Sequence, residues 1–403
     1  MRLFKLTLWK LLLGAFLLIV ALIGVEVARL HGRANKAFEQ QAPEVEAGFE
    51  QLRSSTVFRP PLLEPAVPGD AWEPYSRALQ ETDEIIQRGV LSDPLMDPLD
   101  GPALDRVSEA LREALHRERI TLPCPNPHRL LRWADQIADH LGTRATSLHE
   151  MGRDSEALDT LSLALGMLAD LRRTANGDLA LRLLQSEMGS LASARAILAS
   201  HPLSSDALAR AGRLLEHLRT FRPSIHDWMR VEGLFRRQAI LDSEANDPRY
   251  RVIEQRPSWK HLFSPRIARA TGLNALKQAF MELDGLRRRP VIEWIPTAET
   301  ITGDPRFDCL DSEWRLSIRS LRFQYGWEVR CLIDLSLLRA AIAVVRFEAE
   351  KGKLAATLEA LVPEYVDSIP RCGGTGLPLG YDPHAGRIWS PAFPREAWEV
   401  HHR

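Results

Sequence analysis

The run LLLGAFLLIVALIGV, Leu11 to Val25, constrains this chain more than any other stretch, because fifteen residues pass without a charge. At about 1.5 Å per residue it covers only about 22 Å of a hydrocarbon layer near ~30 Å thick. Extension back through Leu6, Thr7, Leu8 and Trp9 supplies the missing length, with Trp9 suited to the interface and Lys10 close enough to the end to snorkel. Arg2, Lys5 and Lys10 before the run would also suit a signal peptide. The exit argues against cleavage, since an A-x-A-like site needs two small residues and here Leu22 precedes Gly24 and Glu26 precedes Ala28. The expectation is an uncleaved, single-pass transmembrane anchor within residues 1–34. Arg29, Arg33 and Lys36 balance the basic N-terminus, and the very short tail favours N-in, C-out.

Behind the anchor, residues 35–68 read as a charged helical stalk interrupted at Pro43 and a breaker-rich linker, PPLLEPAVP, from Pro60 to Pro68. The remaining length exceeds one ordinary core, so two lobes are expected, 69–289 and 290–403. They divide where PVIEWIPTAETITGDP, Pro290 to Pro305, breaks the helical period. Trp72, Tyr75, Leu79, Thr82 and Ile86 recur at helical spacing, as do Leu104, Val107, Leu111 and Leu115, and then Leu131, Ala134, Ala138, Leu141, Ala145 and Leu148. The stretch ATSLHEMGRDSEALDTLSLAL has the spacing of a degenerate TPR-like hairpin, with Gly152 in the turn and Ala157, Leu161 and Ala164 on the packed face. A second Met-Gly pair, Met188 and Gly189, precedes Ala194 and Leu198 in matching places. Ser224 and Asp227 form a capping box ahead of Trp228, Val231, Leu234 and Phe235. A further helix starts with Asp311 as its cap and carries an interruption at Gly326.

The 52 basic and 53 acidic side chains leave a net charge of -1, so no long-range field recruits nucleic acid. Only 7 of the 52 bases are Lys, leaving 45 Arg, a skew that discounts any local arginine cluster. Arg315, Arg319 and Arg322 nevertheless share one helix face with Trp314 and form the candidate partner-binding surface, for an acidic partner or lipid headgroups.

At the C-terminus, Arg339 to Pro370 reads RAAIAVVRFEAEKGKLAATLEALVPEYVDSIP, and Gly374 to Ser390 reads GTGLPLGYDPHAGRIWS. These residues resemble the end of a group of uncharacterised bacterial single-pass, membrane-anchored helical proteins. More distantly they are similar to the globular end of type II secretion pseudopilins. The close resemblance covers about 65 residues, 339–403, and the W-x-x-Y of Trp72 and Tyr75 and the MGR-x-x-EAL of Met151 to Leu158 match the group in plan. The resemblance implies a bacterial inner-membrane protein, its body then periplasmic. The residues themselves suggest a helix ending at Gly352, a short helix presenting Leu358, Leu361 and Val362, and two strands, Leu377 to Tyr381 and Arg387 to Ser390. The anchor lacks the Glu that pseudopilin processing needs, and RCGGTG, Arg371 to Gly376, offers no calcium ligands. The expected architecture is mainly α: a transmembrane helix, a helical-hairpin lobe, and a second helical lobe ending in a small α+β hairpin module.

Motifs of chemistry are sparse. Neither H-E-x-x-H nor H-x-x-x-H occurs among the 12 His, and the H-x-E of His116 to Glu118 lacks the second Cys of a deaminase zinc site. Cys124, Cys309, Cys331 and Cys372 form no C-x-x-C pair and leave their disulfide state open. The glycine-rich Cys372 to Gly376 has no following Lys and Ser/Thr and reads as a flexible turn rather than a phosphate loop. No catalytic residue, cofactor or metal ligand is therefore expected, which weighs against an enzyme. The leading expectation is a membrane-tethered, non-enzymatic scaffold or interaction protein of the cell envelope, touching lipid through its anchor and a protein through its body. A secretion- or pilus-related component and an envelope enzyme with dispersed residues are the alternatives.

Overall fold

The computed structural model describes residues 2–53, 57–58, 62–63, 65–92, 101–121, 133–173, 177–200, 203–244, 265–305, 307, 312–391 and 393–399. The expectations at Leu131, Cys124, Cys309 and Asp311 lie outside them. The protein is mainly helical, with two small three-stranded sheets among the described residues. Contacts sort it into two compact units that interleave in sequence. One comprises Met1–Gly48, Gly233–Glu282 and Thr300–Ser320; the other comprises Phe49–Glu232, Leu283–Glu299 and Leu321–Arg403. The division at residue 290 follows the breakers, whereas this one follows packing.

Helix α1 spans Arg2–Arg53, and its 52 residues extend about 78 Å, well beyond a bilayer's apolar thickness. It is long and apolar enough to cross a membrane, and Phe16 through Val20 are all exposed. The expected interruption at Pro43 does not occur. Proline removes one rung of the ladder, but Ala34, Ala37, Phe38, Gln41 and Val45 form a buried stripe at helical spacing that holds the helix across the gap. Within the same unit, Gln41 donates to Asn274 at 2.5 Å and accepts from Arg237 at 3.1 Å, while Glu44 pairs with Lys277 at 2.7 Å.

In the larger unit, α2 (Trp72–Ser92) packs on α3 (Pro102–Leu115) through Tyr75 and Leu79 and through Leu104, Val107 and Leu111, the residues of the sequence pattern. Of the Pro60 to Pro68 stretch expected as a linker, Val67 and Pro68 begin a strand: β2 (Val67–Asp70) pairs parallel with β3 (Arg117–Ile120), on which β1 (Val57–Phe58) pairs antiparallel. Leu62 donates its amide to the Leu115 carbonyl at 3.0 Å, and His116 Nδ1 reaches the Leu63 and Pro65 carbonyls at 3.1 and 3.0 Å. His116, weighed as a zinc ligand, thus tethers this segment.

Helices α4 (Trp133–Glu150) and α5 (Asp154–Leu171) form a hairpin whose turn places Gly152 at φ 73°, a conformation glycine adopts freely. Ala157, Leu161 and Ala164 are buried as expected. Helix α6 (Gly177–Ser200) packs on both, and α7 (Ser205–Phe221) packs on α5. Met188 and Gly189 fall inside α6 rather than in a turn. Helix α8 (Ile225–Glu244) begins with the expected box, the Asp227 carboxylate accepting from both the Ser224 amide and hydroxyl at 2.9 Å. Helix α9 spans Pro265–Gly285. The Pro290 to Pro305 stretch contains helix α10 (Trp294–Thr302), because Pro296 falls in its first turn, where the missing amide has no partner to lose.

Helix α11 (Ser312–Lys351) runs 40 residues and passes through Gly326 without the expected interruption. An interior glycine costs only ~1 kcal/mol, and the burial of Tyr325, Glu328 and Val329 beside it offsets that. On its second half sits the C-terminal module: a short turn of helix, Leu358–Leu361, then an antiparallel sheet of β4 (Gly380–Asp382), β5 (Arg387–Ser390) and β6 (Phe393–Glu399). The third strand was not foreseen. Nor is Cys372 to Gly376 a loose turn. The Gly373 amide donates to Ser336 Oγ at 2.7 Å, and a Cβ on Gly373 would lie 2.5 Å from the Leu332 carbonyl oxygen. Gly373→Ala is therefore expected to lower stability by about 1–3 kcal/mol through overpacking. A chemical-denaturation midpoint equal to wild type would show that the loop does not clamp α11.

Candidate functional site

Successive residues on α7 turn by about 100°, so Arg213 and Glu216 share one exposed ridge. A half-open cleft lies on each flank of that ridge. The first, of about 370 Å³, has α7 as one wall, Arg339 and Arg346 of α11 as the other, and Tyr365 to Asp367 of the C-terminal module at its side. Leu215, Ile342 and Ala343 are buried beneath it and form an apolar floor. The second, of about 460 Å³, lies toward Asp159 and Ser162 of α5 and the Leu62–Leu63 segment. Arg213 and Glu216 line both.

The charges of the first cleft do not cancel. Arg339 lies 3.6 Å from Asp367. Glu216 accepts from Arg219 Nε at 3.0 and 3.1 Å, and that bond, against burial and aided by Arg339, holds its carboxyl below the ordinary range. Arg346 forms no ion pair among the described residues; its guanidinium lies 5.7 Å from the centre of the Tyr365 ring, a cation–π distance. Tyr365 in turn donates its hydroxyl to Glu350 at 2.7 Å and sets its ring against Phe347. Arg213 makes no hydrogen bond or ion pair among the described residues. Two uncompensated guanidiniums thus come from different helices above an apolar floor.

A buried four-charge network fixes the walls. Arg172 caps the C-terminus of α5 and Arg222 that of α7, where a cation complements the exposed carbonyls. Arg222 reaches Glu328 of α11 with two bonds, 2.7 and 2.9 Å, and Glu187 of α6 with two more, 2.5 and 3.2 Å. Arg172 adds a bond to Glu187 at 2.7 Å and approaches Glu328 at 3.5 Å. All four side chains are at most 4% exposed, and two Arg against two Glu leave no net charge. Burial alone would lower the Arg222 pKa, but Glu187 and Glu328 outweigh it and hold the guanidinium well above its ordinary value. Nearby, burial pushes the Cys331 thiol up, with Glu187 adding to the effect. Cys331 and Cys372 are free and buried.

One turn from the network, His226 packs edge-on against Trp294 at 4.7 Å and beside Tyr325 at 5.8 Å. Burial lowers its pKa, with Arg287 acting in the same sense, and the ring packs as part of the core. Among the described residues no group of three or more His, Cys, Asp or Glu could hold a metal ion.

Of the arginine face anticipated on α11, Arg319 is exposed, and Arg322 pairs with Glu299 at 2.7 Å while lying 4.7 Å from the centre of the Phe323 ring. The side chains of Trp314 and Arg315 lie outside the description. Arg213, Arg339 and Arg346 were not singled out in sequence. The one available signal was the spacing of Arg339 and Arg346, seven residues or two turns apart on one helix face. Comparison with known proteins finds no match: no family model, no curated protein and no solved structure aligns with the chain.

Proposed function

We propose that the chain is a membrane-tethered, non-enzymatic interaction protein of a bacterial envelope, anchored in the inner membrane by α1 with its body in the periplasm. The observation that carries this reading is the first cleft: open to solvent, floored by apolar side chains and rimmed by three arginines, of which Arg213 and Arg346 form no ion pair among the described residues. A recognition surface needs such unsatisfied, accessible groups, whereas a reaction centre needs converging groups shielded from water. In this reading helices α4 to α7 serve as a degenerate TPR-like scaffold that presents the cleft, and the C-terminal module closes its side. The apolar N-terminal part of α1 supports the anchor, and a tether raises the effective concentration of cleft and partner on one surface.

The test uses the full chain in its own membranes. Alkaline extraction is expected to leave it in the pellet with its N-terminus intact. A photo-crosslinking residue at position 213 is expected to give an adduct of defined mass that the same residue at exposed position 353 does not. Release by alkali, or identical crosslinking patterns at the two positions, would remove the proposal.

A further inference from the structure

The first cleft also specifies the chemistry of what it binds. Its lining holds three arginines and two carboxylates. Asp367 is engaged by Arg339 and Glu216 by Arg219. Among the described residues, Arg213 on the α7 wall and Arg346 on the α11 wall form no ion pair. The lining also holds Leu215, Ile342 and Ala343, at 4, 4 and 2% exposure, which offer a ligand apolar contact and no side-chain hydrogen bond. Along α7 the lining runs from Ala209 to Glu216, seven rises of helix or about 10 Å. That length accommodates about three residues of extended chain.

Resting on the interaction-protein reading, we infer that the cleft binds a short acidic segment of a partner protein, with one carboxylate meeting Arg213 and another Arg346. A phosphate group would want its donors gathered at one point. Here the two free guanidiniums belong to different helices and are separated by an apolar floor, an arrangement that fits two small anions joined by a carbon chain. Arginine suits the task because its planar fork takes a carboxylate through two parallel hydrogen bonds. Tyr365, held by Glu350, supports the Arg346 guanidinium from below by its ring, so that the carboxylate meets a pre-positioned donor.

The experiment pans a random nonapeptide display library on the full chain in detergent micelles and measures an enriched peptide by fluorescence anisotropy. Enriched sequences should carry two or more Asp or Glu. Affinity should fall tenfold or more when those are changed to Asn or Gln, and likewise in the Arg213→Gln/Arg346→Gln double variant, whose melting curve should stay close to wild type because Arg213 is exposed and half-buried Arg346 gives up only its contact with the Tyr365 ring. Arg288→Gln, at an exposed arginine away from the cleft, should change affinity less than twofold. Raising salt should weaken binding, as for exposed charge pairs. Absence of enrichment, enrichment without acidic residues, binding indifferent to the double variant, or an equal loss in Arg288→Gln would each overturn the inference. So would displacement by inorganic phosphate as effective as by the free acidic peptide. A position-213 adduct in membranes alongside non-acidic enriched peptides would defeat this inference and leave the proposed function standing.

Discussion

Replacing Arg222 by methionine is expected to lower the stability of the folded body by about 3–5 kcal/mol, a large part of a typical total of about 5–15 kcal/mol. The volume is nearly kept, so the loss is electrostatic. Glu187 and Glu328, each 1% exposed, would be left with Arg172 alone, one cation for two carboxylates in a medium that solvates neither. Chemical denaturation followed by circular dichroism reads the effect, and a loss under about 1 kcal/mol would mean that water reaches the network. The wild type carries a pH signature of the same bonds. Burial would raise the Glu328 pKa, but Arg222 and Arg172 outweigh it and the folded value lies below 4.5. A carboxyl whose folded pKa is depressed contributes stability that is present above its unfolded pKa and is lost as pH falls through the folded one. The denaturation midpoint should therefore be insensitive to Glu328 at neutral pH and fall below about pH 4.5, and Glu328→Gln should remove that part of the fall.

Truncation after Glu350 should produce an aggregated or protease-sensitive body rather than a shortened, folded one. The module covers α11 along its second half: Gly374 against Val329 and Ile333, Gly373 on Leu332 and Ser336, and Tyr365 on Phe347 and Glu350. Its own Leu358, Leu361 and Val366 are buried, and large apolar side chains contribute about 1.5–3 kcal/mol each when buried. Losing several at once approaches the whole folding margin. Leu361→Ala alone should cost about 2–5 kcal/mol. Limited proteolysis and melting of the two variants test this. A truncated chain that keeps its helicity and midpoint would make the module an appendage.

Helical periodicity was legible wherever one face of a helix meets one core. Tyr75 and Leu79, Leu104 to Leu111, and Ala157 to Ala164 are buried where their spacing placed them, and the Ser224–Asp227 box caps the helix it announced. Breakers were less reliable, because their effect depends on position and neighbours. Pro43 lies in a helix held by a buried stripe, Pro296 in a first turn, and Gly326 beside buried Tyr325 and Glu328, so none of them ends a helix. The β1–β3–β2 sheet was invisible because its strands have two to four residues and no alternation to read. The cleft was hidden for a different reason. Arg213, Arg339 and Arg346 are three among 45 arginines, and only the fold distinguishes those left without a carboxylate from those that have one.

The placing of the Arg222–Glu328 bonds makes the first cleft behave like a clothes-peg. Arg222 follows the last residue of α7, so the spring sits at one end of the jaw, and prising α7 from α11 there would separate full charges with no water to receive them. The opposite end, near Ala209 and Arg346, carries no such clasp. Separating the helices at Arg222 breaks charged bonds, whereas separating them near Ala209 and Arg346 breaks none of that kind. A peg of this kind keeps its closed end in register while its open rim, at Arg346, meets the solvent.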